Sequence, residues 1–332
     1  MKKNILLIYT GGTIGMIKSH KSDRLLPINF DNLISAIPEL SNPEINIENQ
    51  SITNPIDSSS MSPQIWIEIA KLIKLSYNKY DGFVVLHGTD TMAYTASAIS
   101  FLIQGLNKPI IFTGSQIPIG VRRTDAKENL ITSIEIACNS KICDVCIYFE
   151  DQLYRGNRTV KVNTEHFEAF KSPNFPTLAK VGVNIKYSPI KKKVNKKSFS
   201  VHESLSNDIA IIKLFPGIKI STIEAIIDSA KGIIIESYGA GNAPNSNKIE
   251  SVLRKACKND KIIINVSQCL QGSAITNKYE SSKVFNNSGV VCGKDMTTEA
   301  AVTKLMFLMS KDYNNKKIKK QMQKNLRGEI SN

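Results

Sequence analysis

Thr13 and Thr89 each stand just beyond an apolar run. Ile5 to Tyr9 passes into Thr10-Gly11-Gly12-Thr13-Ile14-Gly15, and Val84 to Leu86 passes into His87-Gly88-Thr89-Asp90. A threonine hydroxyl is a weak nucleophile that becomes useful when a base takes its proton and donors receive the developing oxyanion. Gly11, Gly12 and Gly15 would let backbone N–H groups approach a substrate carbonyl closely. By itself the same loop also fits a nucleotide-phosphate turn or a plain structural turn, although G-x-G-x-x-G is absent and no P-loop lysine follows. Thr89 and Asp90 are also favoured helix N-caps, a role compatible with chemistry. A carboxylate at such a mouth can receive a substrate ammonium group, whereas nearby helix N-termini suit a carboxylate, and together they describe an amino-acid pocket. Lys161, in RGNRTVKV, is the natural cation for Asp90. Desolvated, it could lose its proton and act as base toward Thr89; taken alone it reads as a surface lysine.

These groups need strands that end together. Strand-like runs end at Tyr9, Leu86, Thr113 and Phe149, with helical patterns between the later ones, which is the alternation of a parallel sheet with crossover helices. Ligands of such sheets bind in the crevice outside the carboxyl ends of the strands, so Thr13, Thr89 and Asp90 are expected to share one. A helix is expected from Ser62-Pro63, with Ser as cap and Pro at the first helical position, and another after Asp125, which has capping-box spacing to Glu128. The stretch Lys186 to Ser204 is too polar for a core. The expected division is therefore a larger α/β catalytic domain over 1–187, a linker over 188–206 and a smaller α/β domain over 207–332. In the last part, strands near Ile209 to Leu214, Gly232 to Glu236 and Lys261 to Val266 alternate with helices near Thr222 to Ser229 and Asn247 to Lys258. A helix over Thr297 to Met309 follows.

The chain has 332 residues, is 42% hydrophobic and carries a net charge of +14, enough for one large or two medium cores. No run approaches a membrane span, and no secretory signal is evident, so a reducing cytoplasm with six free thiols is expected. Cys143 and Cys146 form a C-x-x-C without a second pair or a nearby histidine, and the context ICDVCIYF reads as a strand with packed thiols. Lysines cluster at Lys191 to Lys197 and Lys316 to Lys324, dispersed from aromatics, which favours solvated surface over nucleic-acid binding.

Seven segments together resemble the bacterial type I, cytoplasmic asparaginases of the asparaginase/glutaminase family. They are YTGGTIGM at 9–16, DSSSM at 57–61, LHGTDTMAYTASA at 86–98, TGSQIP at 113–118, LYRGNRTVK at 153–161, SYGAGNAP at 237–244 and NLRGE at 325–329. The resemblance runs nearly end to end. It implies a two-domain α/β amidohydrolase, without metal or cofactor, that acts on L-asparagine as a homodimer or homotetramer. Thr13 would be the primary nucleophile on the side-chain amide carbon, forming a β-aspartyl ester. Thr89, Asp90 and Lys161 would form a second catalytic group, with Thr89 positioning the water and helping the oxyanion. Ser58 and Ser59 would hold the substrate's α-carboxylate and α-amine, Asp90 would share the amine, and Asn242 would reach into a neighbouring subunit's site.

The chain departs from that pattern in two places. Where the family places a tyrosine in the lid after the first motif, this sequence has Leu25-Leu26-Pro27, and leucine can neither donate nor accept the hydrogen bond that would support the nucleophile. At positions corresponding to an effector site in some relatives, Cys269 is kept, but Glu236 replaces an expected arginine and Val160 an expected threonine. Two competing readings follow. One is the glutaminase-like subunit of a tRNA-dependent amidotransferase, which would accord with the positive charge. The other is an asparagine-binding homologue weakened in catalysis, suggested by Leu25.

Overall fold

The computed structural model describes residues 2–18, 25–27, 37–139, 141–189, 197–244, 247–275 and 283–331. The first lysine cluster and the middle of the expected linker lie largely outside these residues. Two compact units are present. One comprises 1–172 with 176–203, the other 173–175 with 204–332.

The larger unit is built on an eight-stranded sheet. Five strands form its parallel part: β1 (Lys3–Gly11), β2 (Ile45–Ile56), β3 (Gly82–Leu86), β4 (Ile110–Thr113) and β5 (Val145–Phe149), in the spatial order β2-β1-β3-β4-β5. Side chains of Ile5 to Ile8, Phe83 to Leu86 and Ile110 to Phe112 are fully buried, as expected for strands covered on both faces. Beyond β5 the sheet turns antiparallel through β6 (Gln152–Arg155), β7 (Ala179–Lys180) and β8 (Lys186–Tyr187). The sheet is thus mixed, and the parallel reading holds for its centre. Glu150, at φ 52°, makes the reversal between β5 and β6.

Three helices cross over this sheet: α1 (Pro63–Ser76), α2 (Met92–Leu102) and α3 (Ala126–Ala137). Every residue of α2 except Tyr94 is buried, and its run of Ala, Ser and Thr lets neighbours approach on all sides. Pro63 opens α1 as expected. The capping box expected at α3 does not form: Asp125 occupies the N-cap position, but its carboxylate turns back to the end of β4. Of the C-x-x-C pair, Cys146 is buried in β5, whereas Cys143 precedes the strand and donates to the Asn107 carbonyl at 3.2 Å. All six cysteines are free, and no cluster that could hold a metal occurs among the described residues. Near the expected linker, Ser200–Val201 pairs with Ile103–Gln104, and Phe199 stacks on Tyr77.

The smaller unit has a parallel sheet in the order β9 (Ile209–Lys213), β10 (Gly232–Ser237), β11 (Ile262–Ser267) and β12 (Val291–Cys292). Helices α4 (Ile220–Ser229) and α5 (Asn247–Lys258) bury Ile223, Ile227, Ile249 and Leu253 in a core with Ile233 and Ile263. A short α6 (Lys283–Ser288) precedes β12, and α7 (Thr298–Met309) is capped by Thr297, whose hydroxyl accepts from the Ala300 amide. The chain ends on α8 (Asn315–Met322) and the NLRGE turn. There Lys304 and Glu329, both fully buried, pair at 2.5 Å. No helix among the described residues is long and apolar enough to cross a membrane.

Candidate active site

The site lies in the larger unit, where the carboxyl ends of β1 and β3 run side by side. The Thr10 hydroxyl donates to the Leu86 carbonyl at 2.9 Å, tying the two strand ends together. Immediately beyond, Gly11 and Gly12 take φ values of 108° and 87° and lead into a single 3-10 turn, Thr13–Gly15. A Cβ on Gly12 would lie 2.4 Å from the Gly88 nitrogen, so the Thr13 loop and the Thr89 loop meet backbone to backbone. A Cβ on Gly88 would in turn lie 2.5 Å from Ser58 Oγ. The loops carrying Thr13 and Thr89 therefore approach at a separation that Gly12 and Gly88 permit, with the Ser58 side chain packed on Gly88.

Ser58 is buried and opens the 3-10 turn Ser58–Ser60, which Asp57 caps by accepting from the Ser59 amide at 2.8 Å. That amide holds the Asp57 carboxyl below its ordinary range. Ser59 is exposed. The N-cap of α2 is Thr91, whose hydroxyl goes to the Ser58 carbonyl at 2.7 Å. Neither Thr89 nor Asp90 is the cap residue, and both face Lys161 instead. The Lys161 ammonium donates to Thr89 Oγ1 at 2.8 Å and to Asp90 Oδ1 at 2.6 Å. Thr89 is buried, while the Asp90 side chain is 62% exposed and that of Lys161 only 15%. The outer end of the triad is thus open to a ligand and its inner end is dry.

The short strand Val160–Lys161 follows a small-residue contact. Gly156, in the turn Gly156–Arg158, presses on α2, where a Cβ on it would stand 2.9 Å from the Ala96 methyl. Behind the Thr89 loop a buried chain of hydrogen bonds fixes His87. The Trp66 indole donates to Thr95 Oγ1 at 2.9 Å, and Thr95 faces His87 Nε2 at the same distance. The Gly88 carbonyl can only accept, so His87 Nδ1 carries the proton and donates to it at 2.7 Å, and Nε2 of the neutral ring accepts from the Thr95 hydroxyl. Full burial pushes the imidazole down to about 4, and it stays neutral.

Two side chains with no expected role at the site complete the arrangement. Gln116, in the turn after β4, accepts from Thr89 Oγ1 and donates to the carbonyls of Thr164 and His166. Asp125 accepts from the amides of Gln116 and Ile117 at 2.9 and 3.0 Å and holds that turn. TGSQIP was legible only as part of a resemblance, since nothing in its spacing tells that a glutamine faces a threonine from another strand. Asn242 belongs to the smaller unit, in a turn closed by a bridge to Tyr238. Leu25 pairs through its backbone with Lys18 in a short hairpin after the Thr13 turn, and residues 19–24 lie outside the described residues.

Residues 4–192 match the family model for the asparaginase N-terminal domain, and residues 208–322 match that for the glutaminase/asparaginase C-terminal domain. The chain belongs to the asparaginase/glutaminase family. It is 38% identical to L-asparaginase 1 of Escherichia coli K12, over 99% of this chain and 98% of that protein. Among solved structures, L-asparaginase I of Vibrio cholerae superimposes with a TM-score of 0.93 at 38% identity, covering all of both chains. The Probable Cytoplasmic L-asparaginase of Campylobacter jejuni gives 0.82 at 25% identity, covering 98% of this chain and all of that one.

Proposed function

We propose that this chain hydrolyses L-asparagine to L-aspartate and ammonia through a threonine-bound β-aspartyl intermediate. The observation that carries the reading is the placement of the Lys161 ammonium within hydrogen-bond distance of both Thr89 Oγ1 and Asp90 Oδ1, on a loop that the Thr13 loop touches. Thr13 Oγ adds to the side-chain amide carbon, the C–N bond breaks, and ammonia leaves with the hydroxyl proton. Water then adds to the ester carbon, aspartate departs, and Thr13 Oγ recovers a proton. Thr89 positions that water and helps receive the oxyanion, with Lys161 and Asp90 setting its polarity. Ser58 and Ser59 hold the α-carboxylate and α-amine, and the exposed Asp90 carboxylate shares the amine. No metal or cofactor enters these steps.

The cytoplasm is the proposed compartment, supported by six free thiols and by the name of the Campylobacter relative. A homodimer or homotetramer is proposed as the working form, with Asn242 completing a neighbour's site. The domain division of 1–187, 188–206 and 207–332 is retained as part of this proposal. Ammonia release from asparagine and from glutamine by the purified chain tests the reading, and release from neither amide would remove it. The tRNA-dependent alternative requires ammonia release that a charged tRNA stimulates.

A further inference from the structure

Gln116 bonds both to Thr89 and to the loop carrying the chain away from Lys161. Its Nε2 lies 3.1 Å from the Thr164 carbonyl and 3.1 Å from the His166 carbonyl. Both partners can only accept, so the amide orientation is fixed: the NH₂ end faces the loop and Oε1 faces Thr89. The loop is held ready for this contact by Asn163, whose side chain accepts from the Glu165 and His166 amides at 2.8 and 3.0 Å. The Gln116 backbone is held by Asp125. Oε1 can only accept as well, so the Thr89 hydroxyl proton points to Gln116, at an Oγ1–Oε1 separation of 3.4 Å. That distance exceeds the ordinary O–H···O range, so the contact is weak and orients the hydroxyl rather than holding it. The Thr89 lone pairs then face Lys161, whose ammonium is the donor across 2.8 Å.

We propose that Gln116 is a positioning residue of the hydrolase, fixing the direction of the Thr89 hydroxyl proton and the spacing between Thr89 and Lys161. The inference rests on the amide-hydrolase reading above. Removing the amide frees the Thr89 hydroxyl to rotate and loosens the loop after Lys161, while Ser58, Ser59 and Asp90 are left in place to bind substrate. The loss falls on kcat and spares KM.

Two variants test this. Gln116→Met keeps the length of the side chain and removes both hydrogen-bonding ends. Gln116→Glu keeps an acceptor for Thr89 and turns a carboxylate toward two carbonyls. Ammonia release is followed against asparagine concentration over a range of pH, with folded fraction checked by circular dichroism. Gln116→Met is expected to lower kcat by roughly tenfold or more with KM within about threefold, and to shift the pH profile of kcat. Gln116→Glu is expected to fall between it and the wild type, and to recover relative activity as pH falls and the protonated carboxyl again donates to a carbonyl. A Gln116→Met enzyme within about twofold of the wild-type kcat, with an unmoved pH profile, overturns the proposal. So does a loss in both variants that merely tracks lost folded protein, since that makes Gln116 part of the scaffold alone. A wild type that releases no ammonia removes the hydrolase reading and this inference with it. An active wild type with an indifferent Gln116→Met removes this inference only.

Discussion

Gly12 and Gly88, on two different strand ends, leave no room between them for a methyl group: a Cβ on the first would stand 2.4 Å from the nitrogen of the second. Gly12 also sits at φ 87°, where L side chains are strained. Gly12→Ala must therefore both strain its own backbone, by about 1–3 kcal/mol, and push the Thr13 turn away from Thr89. A displacement of about 1 Å at such a site costs on the order of 100-fold in rate. The expected result is a folded protein with Tm lowered by several degrees and kcat lowered far more than KM is raised. Near-wild-type kcat in Gly12→Ala would show that the two loops need not touch.

Stability should fall as pH drops through the range set by His87. Folded, its imidazole is pushed from an ordinary 6.5 down to about 4 by burial, so the unfolded chain binds the proton first. The contribution is fully present above about 6.5, shrinks as pH falls and is gone below about 4, amounting to roughly 3 kcal/mol in all. His87→Leu is expected to be less stable at neutral pH, because it leaves the Thr95 hydroxyl and the Gly88 carbonyl without their partner, yet to lose less on acidification. Denaturant midpoints of both proteins across this interval make the comparison. Parallel slopes would mean that the imidazole already titrates in the folded state.

Much of this arrangement could be read from residues. Apolar runs ending in Gly-Thr or Gly-Gly-Thr marked the right strand ends, because a strand buried on both faces is a nearly continuous hydrophobic run. Other parts were not legible for definable reasons. Strand β2, INIENQSITNPI, has mostly half-exposed or exposed residues at the sheet edge, so it lacks the apolar signature of the central strands. The antiparallel turn at Glu150 needs a positive φ at a residue type that does not announce one. Asp125 looks like a helix cap by spacing, but its carboxylate is taken by two amides in the preceding turn, a contact no local pattern encodes.

The lid position offers a gain-of-function test. The resemblance implies a lid hydroxyl where this sequence has Leu25, so under the proposed mechanism the first step should be limited by a poorly supported Thr13. Leu25→Tyr is expected to raise kcat by roughly tenfold with little effect on binding of the α-carboxylate and α-amine. An unchanged kcat would show that another group already orients Thr13.

Regulation should be simple. Glu236 stands where an effector-binding arginine is expected, accepts from the Thr298 hydroxyl at 2.6 Å and lies 3.7 Å from the Lys213 ammonium. A carboxylate there repels the carboxylate that an arginine would clamp. Rates plotted against asparagine concentration are expected to follow a hyperbola with a Hill coefficient of about 1, whereas a clear sigmoid would place an effector site elsewhere in the assembly.

The most direct measurement is ammonia release from asparagine and glutamine by the wild type, Thr13→Ala and Thr89→Val, assayed side by side at equal folded concentration. The wild type should convert asparagine to equal amounts of aspartate and ammonia, and each variant should be slower by at least about 100-fold. Variants that keep pace with the wild type would contradict a threonine-based hydrolysis at this site.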